Sequence, residues 1–143
     1  MSDAAPVLSD DDRALIDAAL AVRAHAIAPC SGYQVGAALR CEDGTIVEGV
    51  NVENWVLPLT ICAEHGAVCA GAARGYRRYT TVAVATSSSP PAAPCGSCRQ
   101  VLHTHGVTRV LLANPQGERR VHALADLLPH AFVFERDAPP GDG

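Results

Sequence analysis

Cys95-Gly96-Ser97-Cys98 sets two thiols three residues apart at the start of a stretch with helical character, so both side chains share one face of a first turn. A helix N-terminus favours the thiolate, which is the form of cysteine that binds metal. Cys62 repeats the arrangement, standing at the beginning of a second helical stretch after Pro58. Two helix starts can therefore bring three thiolates to one cation. A closed structural zinc site takes four protein ligands, whereas three leave a position open for water, whose pKa zinc lowers to about 7. Glu64, two residues after Cys62, is too near in sequence to be a comfortable second ligand, yet near enough to touch that water and shuttle its protons. The expected cofactor is one Zn2+ per chain on Cys62, Cys95 and Cys98, with Glu64 as the catalytic group.

Each of these residues alone has a plainer reading. A Cys-x-x-Cys at a helix start is also the redox motif of thioredoxin-like proteins. Cys62 by itself reads as a buried thiol, and Glu64 as a first-turn acid facing the positive pole of the helix. Their combination favours the metal. Cys30, Cys41 and Cys69 read as structural, Cys69 as a core residue two turns past Cys62. His65, His103, His105, His122 and His130 have no spacing that matches the cysteines.

The elements that must position this chemistry can be read along the chain. Ser9 followed by Asp10, Asp11 and Asp12 is a helix start, and Leu15, Ile16, Ala19, Leu20, Val22 and Ala26 recur at helical spacing before Pro29. Residues 35–40 and 46–51 are β-branched runs joined across Glu42-Asp43-Gly44, a hairpin. A buried helix is expected over 61–74, a strand over 80–86 and a second helix over 95–105, with a proline-rich loop between the last two. Strands over 109–113 and 118–123 and a short helix over 124–128 complete the order. Strands alternating with helices require a crossover and some parallel pairing, hence an α/β sandwich on a mixed five-stranded sheet.

The chain has 143 residues, 48% of them hydrophobic, which suits one domain over 1–143 with loose ends at 1–7 and 137–143. Its net charge of −4 argues against a nucleic-acid partner, which would call for a basic stripe. Arg74, Arg77 and Arg78 are the one local exception and read as a solvated helix end. With no apolar run of membrane-spanning length and no secretory pattern at the N-terminus, no membrane partner and a cytoplasmic location are expected. In a reducing compartment six cysteines are expected to be ligands or buried thiols rather than disulfides.

Cys62-Ala63-Glu64 with Pro94-Cys95-Gly96-Ser97-Cys98 is the three-cysteine form of the zinc deaminase signature. Together with Val35-Gly36-Ala37-Ala38, Asn51-Val52-Glu53-Asn54, Arg99-Gln100 and Leu127-Leu128-Pro129 before Phe132, it resembles the cytidine deaminase family, in particular its short, homotetrameric branch. The resemblance implies a three-layer α/β/α fold and hydrolysis of cytidine or 2′-deoxycytidine to the uridine product and ammonia, in pyrimidine salvage. It implies Asn51 and Glu53 on the ribose 3′-hydroxyl, the Ala63 amide on the pyrimidine carbonyl, and Tyr33 as an aromatic wall. Phe132 would reach a neighbouring subunit's base, so that the oligomer completes each site. Two departures stand out. Trp55, Val56 and Leu57 follow Asn54 where the family has a small residue, Ser and Tyr, and His65 replaces a frequent Arg. They keep open a deaminase of a modified or non-pyrimidine nucleoside, or of a nucleoside antibiotic of the blasticidin S type.

Overall fold

The computed structural model describes residues 5–133, so of the loose ends expected at 1–7 and 137–143, residues 1–4 and the whole of 137–143 lie outside the described residues. Helix α1 (Asp10–Val22) begins on a reciprocal cap: the Asp12 amide donates to the Ser9 hydroxyl at 3.1 Å, and the Ser9 amide to the Asp12 carboxylate at 3.0 Å. Strands β1 (Gly36–Cys41) and β2 (Ile46–Val50) form the hairpin, closed at Gly44, whose φ of 88° suits glycine. Helix α2 (Ala63–Ala73), strand β3 (Tyr79–Ala85), helix α3 (Gly96–Thr104), strands β4 (Arg109–Ala113) and β5 (Arg119–Ala123) and the one-turn helix α4 (Leu124–Leu127) follow.

The sheet order is β2-β1-β3-β4-β5, with β3 and β4 parallel and the other neighbours antiparallel. This is the mixed five-stranded sheet read from the sequence, and the α3 crossover is what permits its single parallel pair. Alternation along the strands splits the core in two. Ala38, Ala83, Ala85, Leu111 and Ala113 meet Leu15, Ile16 and Ala19 of α1 on one face. Ala37, Leu39, Val82, Val84, Val110 and Leu112 meet Ala63, Ala67, Val68, Leu102 and Leu124 on the other. The result is three layers, and each fully buried Leu or Val contributes about 1.5–3 kcal/mol.

Glycine sets how closely the helices sit. A Cβ on Gly49 would lie 2.2 Å from the Ala67 amide nitrogen and 2.5 Å from the Ala63 carbonyl oxygen, so the first turns of α2 rest directly on β2. Gly36 does the same for α1, where a Cβ would meet the Ala19 carbonyl oxygen at 2.1 Å. Bulk at either position would lift a helix off the sheet, at a cost of about 1–3 kcal/mol or more.

Two expectations are corrected here. Cys69 is exposed, not core, because α2 turns Ala63, Glu64, Ala67, Val68 and Gly71 inward. Cys62 is the N-cap rather than a helical residue, so helical spacing does not carry from it to Cys69. Cys30 is also exposed, with its thiol 3.8 Å from the Asn54 carbonyl oxygen, whereas Cys41 is buried as expected.

Asp12 has a second role, as it pairs with Arg109 of β4 and ties the N-terminal helix to the far half of the sheet. The Arg109 guanidinium and the Ser9 hydrogen bonds hold the Asp12 carboxyl below its usual range, against the opposing effect of burial. A folded-state pKa below the unfolded one gives stability that is complete above the ordinary value of 3.8 and is lost as pH falls through the lower, folded value. Asp12→Asn is therefore expected to cost about 1–2 kcal/mol in urea unfolding at pH 7, with the gap to the parent closing as the pH drops below the carboxylate range. A gap independent of pH would show that the charge of Asp12 contributes nothing.

Candidate active site

The sheet presents one end to the site, the end at which β1 begins and β2 and β3 finish. Chain segments leaving those strands wall a cavity of about 240 Å³ lined by Tyr33, Val35, Asn51, Thr60, Cys62, Ala63, Glu64, Val84, Thr86, Ala92, Ala93 and Cys95. Thr86 follows β3 at the carboxyl end of the parallel pair, the edge at which open α/β sheets generally bind ligands.

Cys62 is the N-cap of α2 and Cys95 the N-cap of α3, both in extended backbone, and Cys98 lies in the first turn of α3. The three sulfurs all lie within 4.8 Å of one another, with Cys62 Sγ and Cys95 Sγ 4.0 Å apart. A tetrahedral ion with Zn–S bonds near 2.3 Å needs about 3.8 Å between sulfurs, so the Cys62–Cys95 edge is close to the required length and the rest of the triangle has at most about 1 Å to close. Cys98 is buried, Cys62 half-buried and Cys95 exposed on the cavity side.

Burial pushes the Cys98 thiol well above its usual range, and the nearby Glu64, Cys62 and Cys95 charges add to the effect. Cys62 is raised in the same direction, by burial first and by Cys95 second. Glu64, 5% exposed, is raised by burial as well. The protein alone thus disfavours several anions in this corner, while a dication at the centre of the sulfurs would reverse that preference. Two helix N-termini aimed at the same point favour negative ligands. Donor chemistry, spacing and electrostatics all suit zinc.

The isolated bridge between Val52 and Ile61 explains how the rest of the site is tied to the metal corner. Val52 and Ile61 exchange backbone hydrogen bonds of 2.9 and 3.0 Å, so the Asn51-Val52-Glu53 segment lies beside the residue that leads into Cys62. Ile27 flanks the other side through its amide to the Asn51 carbonyl, at 3.0 Å. Asn51 is buried on the cavity wall; its Nδ2 donates to the Tyr33 carbonyl at 2.8 Å and its Oδ1 accepts from the Val35 amide at 2.8 Å. It therefore holds the aromatic segment as well as facing the cavity.

Glu53 lies beyond the cavity lining. Its carboxylate accepts from the amides of Cys30 at 2.9 Å and Ser31 at 3.0 Å and from the Ser31 hydroxyl. These hydrogen bonds, that of the Ser31 hydroxyl above all, hold its pKa below the usual range. Tyr33 lines the cavity and shares a hydrogen bond with the Ser88 hydroxyl. Ala63, first residue of α2, lines the cavity, and as a first-turn residue its amide has no acceptor within the helix.

Phe132, 69% exposed, lies away from this chain's own cavity, its backbone held by the Gln100 side chain at 3.1 and 3.3 Å. Trp55, Val56 and Leu57 are exposed and do not line the cavity either. The sequence reading thus locates the metal corner, Glu64, Asn51, Ala63 and Tyr33 together, with Glu53 one step out. It misses Val35, Thr60, Val84, Thr86, Ala92 and Ala93, whose types carry no chemical signal.

Similarity to known proteins agrees with this geometry. The family described as the cytidine and deoxycytidylate deaminase zinc-binding region matches residues 9–114. A cytidine deaminase of Halalkalibacterium halodurans is 39% identical over 127 residues, 87% of this chain and 96% of the relative. One of Mycobacterium tuberculosis is 43% identical over 112 residues, 78% of this chain and 82% of the relative. The crystal structure of cytidine deaminase from Burkholderia pseudomallei superposes with a TM-score of 0.81 at 44% identity, over 87% of this chain and all of that one. A match this long, carried on the same zinc-binding region that the three thiols form here, means that the chain belongs to the cytidine deaminase family.

Proposed function

We propose that this chain is a zinc-dependent hydrolase that deaminates cytidine and 2′-deoxycytidine, releasing ammonia and the uridine product. The observation that carries this reading is the buried Glu64 carboxyl on the wall of the same cavity that the Cys62, Cys95 and Cys98 triangle opens onto. Zinc held there supplies Lewis acidity that makes hydroxide available near neutral pH.

Glu64 carries the protons. It takes one from the attacking water and places it on the ring nitrogen beside the amino-bearing carbon. After carbon–oxygen bond formation it takes the hydroxyl proton and delivers it to the departing amine, so that water and cytidine leave as uridine and ammonia. The Ala63 amide donates to the pyrimidine carbonyl oxygen, and Tyr33 walls one side of the base. Asn51 and Glu53 receive the ribose 3′-hydroxyl. Asn51 Oδ1, accepting from the Val35 amide, and Glu53 Oε2, accepting from the Ser31 hydroxyl, each have a second lone pair for that hydroxyl. A closed or redox-active thiol pair would leave the third thiol and Glu64 without a task. A blasticidin-type or non-pyrimidine activity is not favoured, as the relatives are named cytidine deaminases and Trp55 stands clear of the cavity.

The working form is a homotetramer in which Phe132 closes a neighbour's site, each chain being one unit over 1–143. Two features support this. The cavity of a single chain is smaller than the ~300–1,000 Å³ usual for a ligand pocket, as expected of a site lacking a wall. Trp55 at 79% exposure, Leu57 at 65% and Leu59 at 61% leave an apolar stretch of chain facing outward that suits burial between subunits. Among the described residues no helix is long and apolar enough to cross a membrane. The cytoplasm is the proposed compartment, and pyrimidine salvage the proposed role.

Glu64→Gln should keep zinc and fold but lower kcat on cytidine by at least about a thousandfold. An ultraviolet assay against cytidine, deoxycytidine, cytosine, adenosine, guanosine and blasticidin S reads both this and the substrate class; turnover of adenosine or blasticidin S alone would overturn the reading. Metal analysis should give one zinc per chain, with Cys62, Cys95 and Cys98 unreactive toward a thiol reagent until a chelator is added. Light scattering should give four chain masses, and Leu57→Asp should lower mass and activity together.

A further inference from the structure

The loop over residues 87–94 joins the end of β3 to Cys95 and contributes Ala92 and Ala93 to the cavity wall. On its inner side the Ser88 hydroxyl meets the Tyr33 hydroxyl, and the Ala92 amide donates to Thr86 Oγ1 at 3.0 Å. On its outer side it is gripped from the turn between β4 and β5. Asn114, fully buried, donates through Nδ2 to the Ser88 carbonyl at 2.9 Å and to Glu118 Oε1 at 3.0 Å. Its Oδ1 accepts from the Glu118 amide at 3.0 Å. The Ser89 hydroxyl donates to the same Glu118 Oε1.

We infer that Glu118, outside the cavity, is a positioning residue for substrate binding: through Ser89 and Asn114 it fixes the 87–94 loop, and with it the Ala92–Ala93 wall and the hydroxyl that orients Tyr33. One carboxylate oxygen accepts from two directions, one donor on the loop and one in the buried scaffold behind it. Hydrogen bonds to an ionised acceptor are the stronger kind, which suits a proline-rich segment that belongs to no helix or strand and so has no ladder of its own to order it. The loop thus borrows its order from a turn on the neighbouring strand pair. This inference rests on the cytidine reading of the cavity for its kinetic consequence, and on the hydrogen bonds alone for the order of the loop.

The test compares the zinc-loaded parent with Glu118→Ala and Glu118→Gln, the latter keeping an oxygen that accepts from Ser89 and Asn114. Glu118→Ala should raise KM for cytidine about tenfold while kcat stays within about threefold and zinc remains at one per chain. Amide hydrogen exchange at residues 87–89 and at Ala92 should quicken in the same variant, and Glu118→Gln should restore both readouts. Unchanged exchange in the loop overturns the inference. So does an unchanged KM with a lowered melting temperature, which marks a purely structural turn, or loss of zinc, which marks a residue acting on the metal corner. If Glu118→Ala does not fold, Ser89→Ala carries the same expectations with the buried Asn114 pair intact. A parent that leaves cytidine untouched defeats the functional reading by itself, and the exchange comparison still decides whether Glu118 orders the loop.

Discussion

Three thiols and one carboxyl share a corner that runs from the exposed Cys95 to the buried Cys98 and Glu64, and their mutual repulsion is the constraint around which the structure is organised. Burial disfavours the charged form of an acid, and Cys62, Glu64 and Cys98 are all shifted upward by it. A dication makes anions the preferred state, and the fold prepares for it by aiming two helix starts at one point. The metal site is therefore part of what makes the inner end of the sheet a tolerable place for so many acids. Binding energy at such a centre is also folding energy.

Placing two helix starts within a few ångströms of each other demands that the helices be seated accurately. The hydrophobic layer supplies the adhesion, but small residues set the distances. Gly49 lets α2 touch β2, so Cys62, Ala63 and Glu64 sit where the sheet ends rather than above it. The β3-α3-β4 crossover then delivers Cys95 and Cys98 from the opposite side. Short polar ties finish the work: Arg99 reaches the Pro94 carbonyl and the Leu127 carbonyl, each at 2.7 Å, and so fixes the entry to α3 and the chain beyond α4 in one gesture.

Much of this was legible in the sequence. A continuous apolar run gave β4 its bounds, and the Ser9 cap gave α1 its start, because both depend on neighbours along the chain. The metal triangle was legible because thiols at helix starts have few other uses. Cys69 was misread because periodicity says how residues share a face but not which face turns inward. The Asp12–Arg109 pair, 97 residues apart, and the grip of Asn114 and Glu118 on the 87–94 loop join residues whose types are ordinary in helix caps and turns. Nothing local marks them. Glu53 lies between these cases: its motif is recognisable, but its hold on Cys30 and Ser31 depends on how the 27–31 segment is laid beside it.

The graded burial of the three thiols gives the site a direction. Cys98 is buried behind the cavity lining, whereas Cys95 is exposed and lines the cavity that a nucleoside would fill. The metal corner and the substrate's cavity therefore meet at Cys95. A nucleoside seated in the cavity would lie across the most exposed of the three thiols, so occupancy and metal retention become one kinetic matter: a filled cavity shields the ion from competing chelators.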